Sequence, residues 1–177
     1  MRYFGGKTQT CKGIAEFLEG IRKPSQAFLS PFIGGGWVEC LMRDPKTCSD
    51  KHRYLIAMYQ KLQEGWLPPK TLTKEEYEHI KNNMDEIPHL TGFVGFGCSF
   101  AGKWFGGYAS QKKERNFCMN ARCSVLEKMY GLKEAKFECC DYKDLKPEGF
   151  LIYCDPPYRG TTQYDRRVVG EFDHDEF

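Results

Sequence analysis

No two cysteines of this sequence form a Cys-x-x-Cys pair, although nine are present among 177 residues. The nearest approaches to zinc spacing are Cys118 with Cys123 and the adjacent Cys139 and Cys140. Neither has a matching second half, so no metal site is expected. The count is odd and the positions are scattered, which predicts reduced, mostly buried thiols. No apolar run approaches the ~20 residues needed to cross a bilayer, so no membrane partner is expected. The opening Met1-Arg2-Tyr3-Phe4-Gly5-Gly6-Lys7 carries no apolar signal region, and export is not indicated. The net charge of +2 is too small to argue for a nucleic-acid partner by itself, which leaves that argument to local clusters. No Gly-x-Gly-x-x-Gly spacing occurs, so a dinucleotide-dependent oxidoreductase has the least support. Internal repeats and low-complexity tracts are absent as well.

What is present reads as an alternation of strands and helices. Residues 8–20 have helical apolar spacing at Ile14, Phe17 and Leu18, with Gly20 placed to end the helix. A short strand is expected over 27–30, then the glycine-rich loop Pro31-Phe32-Ile33-Gly34-Gly35-Gly36, then a helix opening at 38–42. A weak second strand over 46–49 ends at Asp50, and 54–62 reads as a helix. Thr73-Lys74-Glu75-Glu76 has the form of a capping box that opens another helix to about Met84. Residues 92–110 mix aromatics with glycine and alanine, followed by the basic cluster Gln111-Lys112-Lys113-Glu114-Arg115. This stretch reads as an irregular, functional insertion. A helix over 118–130 ends at Gly131, a strand covers 135–140, and 150–154 is an apolar strand of the kind found at the centre of a parallel sheet. Residues 172–177 resemble a capped helix that has only just begun, and the chain is expected to stop inside its domain. The fold class expected is α/β with a mainly parallel sheet.

The strongest chemical signal is Asp155-Pro156-Pro157-Tyr158 directly after the apolar strand, because open α/β sheets bind ligands beyond the carboxyl ends of their strands. Asp155 offers a carboxylate and Pro156 a carbonyl, both acceptors for an amino group. The consecutive Pro156 and Pro157 fix the backbone that holds them. Tyr158 offers a flat face for stacking on a base. An exocyclic amine of adenine is a poor nucleophile, since its lone pair is delocalised into the ring. Acceptors on both N–H groups localise that pair, after which in-line attack needs mainly positioning.

These residues, with four other motifs in order, resemble the Dam-type DNA adenine methyltransferases over nearly the whole chain. Arg2-Tyr3-Phe4-Gly5-Gly6-Lys7 is similar to the family's amino-terminal cofactor motif, and Pro31-Phe32-Ile33-Gly34-Gly35-Gly36 to its cofactor loop. Ser49-Asp50 matches the acidic end of its second strand, Asp141-Tyr142 its adenine-pocket pair, and Asp155 to Tyr158 its catalytic motif. The resemblance implies a Rossmann-like S-adenosylmethionine-dependent fold with an inserted target-recognition segment and the last part of the sheet missing. It divides the chain into a cofactor part (1–60), a recognition insertion (61–120) and a catalytic part (121–177). Tyr3, Lys7 and Phe32 would then lie along the cofactor. Gly34, Gly35 and Gly36 would approach its methionine end, and Asp50 would accept from the ribose hydroxyls. Asp141 would meet the adenine amino group and Tyr142 its ring. Asp155 and Pro156 would hold the target N6, with Tyr158 stacked on a flipped base. The methyl donor is S-adenosylmethionine, with no metal, and the partner is double-stranded DNA in the cytoplasm of a bacterium or a phage-infected cell.

One departure stands out. The family usually carries an acid immediately before Pro-Phe, where this chain has Ser30, which removes a charge near the cofactor's positive end and predicts weaker binding. For DNA, Lys103, Lys112, Lys113 and Arg115 are candidates for phosphates, and Ser99, Lys103 and Gln111 for base edges. Two alternatives stay open: a fragment that binds cofactor or DNA without turnover, and methylation of another amine, on RNA, cytosine or a protein glutamine.

Overall fold

The structure, a computed structural model, describes residues 3–110, 116–159 and 166–177. Four strands form one sheet: β1 (Phe28–Ser30), β2 (Lys46–Asp50), β3 (Lys136–Cys139) and β4 (Leu151–Ile152). Their order is β3-β2-β1-β4 and every pairing is parallel. The helices are α1 (Cys11–Ile21), α2 (Arg53–Gln63), α3 (Lys74–Asn82), α4 (Pro88–Gly97), α5 (Phe117–Leu132) and the single turn α6 (Arg166–Val169). This is an α/β architecture with an all-parallel sheet, compatible with a Rossmann-like fold. Parallel strands need crossover segments, and those segments bury the strand faces. β1 is accordingly buried along its whole length. No described helix is long and apolar enough to cross a membrane.

Two apolar clusters organise the packing. The larger joins Leu55, Ile56, Met58, Tyr59 and Leu62 of α2, Phe93, Val94 and Phe96 of α4, and Val125 and Leu132 of α5 to Cys48 and Phe137 of the sheet. The smaller seats Cys11, Ala15 and Leu18 of α1 against Phe28, Val38 and Met42, with Leu151 at its margin. Several helix starts follow the expected chemistry. Thr73 and Glu76 form the capping box of α3 with both bonds present. Asn116 caps α5 by accepting from the Met119 N–H at 2.8 Å.

Six expectations need correction. Residues 38–42 do not open a helix but form a single 3₁₀ turn over Glu39–Leu41. Asp44-Pro45 follows at once, and a residue before proline is steered away from helical geometry. The apolar strand at 150–154 shortens to two residues, and it pairs at one margin of the described sheet rather than at its centre. Residues 92–97 are not irregular: they complete α4, which is buried from Thr91 to Gly97. A helix apolar all round belongs in a core, where it has no polar stripe to reveal its period. Gly131 does not end α5 but lies inside it. A Cβ there would stand 1.8 Å from the Cys40 carbonyl oxygen, so glycine is what lets the helix meet that backbone. Finally, only Cys11, Cys48, Cys98 and Cys118 are buried. Cys123, Cys139 and Cys154 are exposed, although all nine thiols are free. Residues 172–177 form a turn, not a helix. Asp173 Oδ1 accepts from the Asp175 and Glu176 N–H groups at 2.9 and 3.0 Å, as a cap would.

Candidate active site

All four strands run towards one cavity of about 430 Å³, a volume suited to a small organic ligand. The chain leaving β1 supplies the glycine loop, and β2 ends in Asp50. Asp141 and Tyr142 follow β3. Tyr153 and the Asp155-Pro156-Pro157-Tyr158 segment follow β4. Tyr3 and Lys7 close the cavity from the amino terminus. Motifs separated by up to 148 positions therefore share one lining.

Each of the three loop glycines makes room for a neighbouring side chain. Gly34 has φ +45°, and a Cβ on it would meet the Tyr3 ring at 2.8 Å. A Cβ on Gly35 would press on Tyr3 and Trp37 at 3.0 Å. At Gly36 (φ +64°) it would lie 2.8 Å from the Tyr59 hydroxyl. That hydroxyl donates to the Gly34 carbonyl at 3.0 Å and ties the loop to α2. From α5, buried Lys128 donates to the Gly35 carbonyl, with its ammonium 4.0 Å from the Trp37 ring centroid. Burial lowers the Lys128 pKa to about 8. The loop is thus bolted from behind and open in front. Phe32, on the loop, belongs to a different group of rings: its centroid is 5.6 Å from Tyr142, 5.8 Å from Phe172 and 5.7 Å from Phe177.

Asp50 accepts from the Gly34 N–H at 3.1 Å and from the His52 N–H at 2.9 Å, which links the end of β2 to the glycine loop. Burial pushes its carboxyl up to about 6, with those backbone bonds pulling the other way. Asp141 is ion-paired with Lys51 at 2.8 Å, and that bond holds its pKa below the ordinary carboxylate value. At the far wall, Lys7 Nζ lies 2.6 and 2.5 Å from the two Asp155 oxygens, and the Tyr158 hydroxyl donates to Asp155 Oδ1 at 2.9 Å. Burial opposes the charge on Lys7, but its bonds to Asp155 and Tyr158 outweigh that and raise its pKa. The Tyr158 ring is 52% exposed and sits 5.0 Å from the Lys7 ammonium. A carboxylate has about four acceptor positions. Among the described residues Oδ1 takes two donors, whereas Oδ2 takes only Lys7, so Asp155 keeps capacity for a further N–H.

The sequence-based sites outside the cavity fare differently. Ser99 is buried at 1% exposure, and its hydroxyl is bonded to Tyr77 at 2.8 Å, which withdraws it from any base edge. Lys103 is half-buried with its ammonium 4.9 Å from the Phe4 ring. Its loop is joined to the amino-terminal segment by a Phe4 N–H to Gly102 carbonyl bond of 3.1 Å, which places it beside the cavity. Gln111, Lys112, Lys113 and Arg115 lie outside the described residues. Glycines expected to approach DNA have other duties: a Cβ on Gly92 would stand 2.0 Å from the Tyr54 carbonyl, and one on Gly95 would stand 2.2 Å from the Trp104 ring.

Residues missed by sequence reasoning include Trp37, Glu39, Lys128 and Phe172. Trp37 and Glu39 directly follow the glycine run, and that adjacency was a usable signal. Nothing in the sequence marks Lys128 or Phe172, which reach the loop and the ring group from distant elements. No protein-family model matches this chain, and none of the curated proteins compared with it does so either.

Proposed function

We propose that this chain is an S-adenosylmethionine-dependent methyltransferase acting on N6 of adenine in DNA. The observation that carries the reading is the meeting of five separate motifs around one cavity at the carboxyl ends of four parallel strands. Its residues fit a nucleoside joined to an amino-acid chain. Gly34, Gly35 and Gly36 all line the cavity, so the loop meets a ligand with backbone alone. Asp50 presents a carboxylate whose protein partners are backbone N–H groups. The Tyr142 hydroxyl and Trp37 Nε1 are buried without a hydrogen-bond partner among the described residues, and both residues line the cavity. Asp50 would hold ribose hydroxyls, Asp141 and Tyr142 the adenine, and the glycine loop the methionine end.

When bound, S-adenosylmethionine would supply an electrophilic methyl group, leaving as S-adenosylhomocysteine when the methyl passes to the amine, which gives up one N–H proton to solvent. The chain's own contribution is positional. Asp155 Oδ2 and the Pro156 carbonyl accept from the two N–H groups of the target amine, which concentrates its lone pair towards the donor. Lys7 and Tyr158 keep the Asp155 carboxylate from rotating. The exposed part of the Tyr158 ring stacks on the extruded base, as duplex DNA hides the amine until the base flips.

The test of the cofactor half is equilibrium binding of S-adenosylhomocysteine. Saturable binding is expected, and Asp50→Asn should weaken it about tenfold, the worth of a charge-assisted hydrogen bond. A wild-type chain that fails to bind, or an Asp50→Asn chain that binds equally well, contradicts this assignment. The DNA half rests on the basic cluster. Neutralising Lys112, Lys113 and Arg115 together should reduce the slope of log affinity against log salt by about 0.9 for each phosphate left without its cation. An unchanged slope removes that cluster from the interface.

A further inference from the structure

We infer that Glu39 takes over the cationic end of the cofactor, returning from behind the glycine loop the carboxylate that Ser30 does not supply. The inference rests on the S-adenosylmethionine reading of the cavity. Its starting point is a contact: the Ser30 hydroxyl donates to Glu39 Oε1 at 2.7 Å. The two side chains meet, so the acid carried nine positions later stands against Ser30 while itself lining the cavity. The 3₁₀ turn at Glu39–Leu41 makes this possible, since it folds the chain back immediately after the loop.

The surroundings of Glu39 set it apart from the other acids. It is 2% exposed yet lines the cavity. Asp155 has Lys7, and Asp141 has Lys51. Among the described residues no ion pair reaches Glu39, and its side chain has one hydrogen-bond donor from another residue, Ser30. A buried carboxylate costs heavily without a counter-charge, so it is either protonated or waiting for a cation. Lys128 is a basic group that acts on Glu39, but its ammonium is committed to the Gly35 carbonyl and the Trp37 ring. The matching chemistry is an ammonium group presented at the glycine loop, which the amino-acid end of S-adenosylmethionine carries and its nucleoside half lacks.

Burial pushes the Glu39 carboxyl up to about 7, with Ser30 partly opposing and the Asp155 charge adding to the rise. The groups that feel its charge are Asp155 and Tyr153 beyond β4, Lys128 on α5, Cys48 on β2, Tyr59 on α2 and adjacent Cys40. Of these Lys128, lowered to about 8, titrates closest to neutrality, on the alkaline side of Glu39. A cation bound by ionised Glu39 holds best above that pKa and is released as pH falls through about 7. Asp50, raised to about 6, adds a second and lower dependence, which the Glu39 variant separates.

The experiment compares two ligands by calorimetry: S-adenosylhomocysteine, which has the ammonium, and 5′-methylthioadenosine, which has only the nucleoside half. Glu39→Gln keeps the shape and the Ser30 bond. It should weaken S-adenosylhomocysteine about 10- to 100-fold, as loss of a charged hydrogen-bond partner does. It should leave 5′-methylthioadenosine within about twofold and abolish the pH dependence near 7. Adding Ser30→Asp to Glu39→Gln should recover part of the loss. Equal loss for both ligands gives Glu39 a structural role and overturns the inference, as does unchanged binding of S-adenosylhomocysteine. A wild-type chain that binds neither ligand overturns the underlying reading of the cavity instead.

Discussion

Asp155→Ala is expected to lower methyl transfer by at least about 10²- to 10³-fold, the usual cost of removing one preorganised electrostatic partner of a reacting group. The size follows from geometry. Asp155 is the one carboxylate of the Asp155-Pro156-Pro157-Tyr158 segment, and it is held on both sides by Lys7 at 2.5 Å and Tyr158 at 2.9 Å. A substitute that leaves the backbone of Pro156 and Pro157 intact still loses the carboxylate that the proposed reading assigns to the amine. The same variant frees Lys7, so a drop in cofactor binding must be measured beside turnover. Single-turnover incorporation of labelled methyl, with S-adenosylhomocysteine affinity as the control, separates the two. Transfer within tenfold of wild type would remove Asp155 from the chemistry. A parallel loss of affinity would make it a cofactor residue only.

The largest effects on stability are expected at two glycines far from the chemistry. A Cβ at Gly131 would stand 1.8 Å from the Cys40 carbonyl oxygen, and one at Gly92 would stand 2.0 Å from the Tyr54 carbonyl oxygen. In both cases the obstacle is backbone, which cannot swing aside as a flexible side chain does. Gly131→Ala or Gly92→Ala should therefore each cost about 3 kcal/mol or more, the range of overpacked cores. For a chain of this size that lowers Tm by roughly 10 °C. Gly13, on α1, meets nothing within 4 Å, and Gly13→Ala should stabilise by about 0.5–1 kcal/mol. Thermal melts of the three variants make the comparison. A Gly131→Ala chain that melts with wild type would mean that α5 does not approach the turn after the glycine loop as closely as described. That approach also seats Lys128 behind the loop, so the stability result bears on the site.

Legibility in the sequence followed the type of interaction. α2 and α3 were readable because each has one wet face, and so a visible period or a capping box. The glycine loop and the acid ending β2 were readable because backbone approach and strand ends restrict residue choice. α4 was not, since burial on every side erases the polar stripe and leaves a mixture of Phe, Val and Gly that resembles a loop. Gly131 was misread because a glycine that ends a helix and a glycine that admits a neighbouring backbone look identical in one dimension. Ser99 looked like a polar contact for DNA, but the Tyr77 hydroxyl had already claimed it in the interior. The site was legible in its motifs and illegible in its supports. Lys7 with Asp155, Ser30 with Glu39, and Lys128 with Gly35 are pairs made by folding, not by spacing. In particular, Ser30 reads as a missing charge in one dimension, whereas in the fold Glu39 lies against it.

The most direct measurement is mass spectrometry of nucleosides from unmethylated duplex DNA incubated with this chain and isotope-labelled S-adenosylmethionine. Labelled N6-methyladenine, dependent on Asp155, is the expected product. Label on cytosine, or no labelled base from a chain that binds the cofactor, would contradict the assignment of this chain as an adenine methyltransferase.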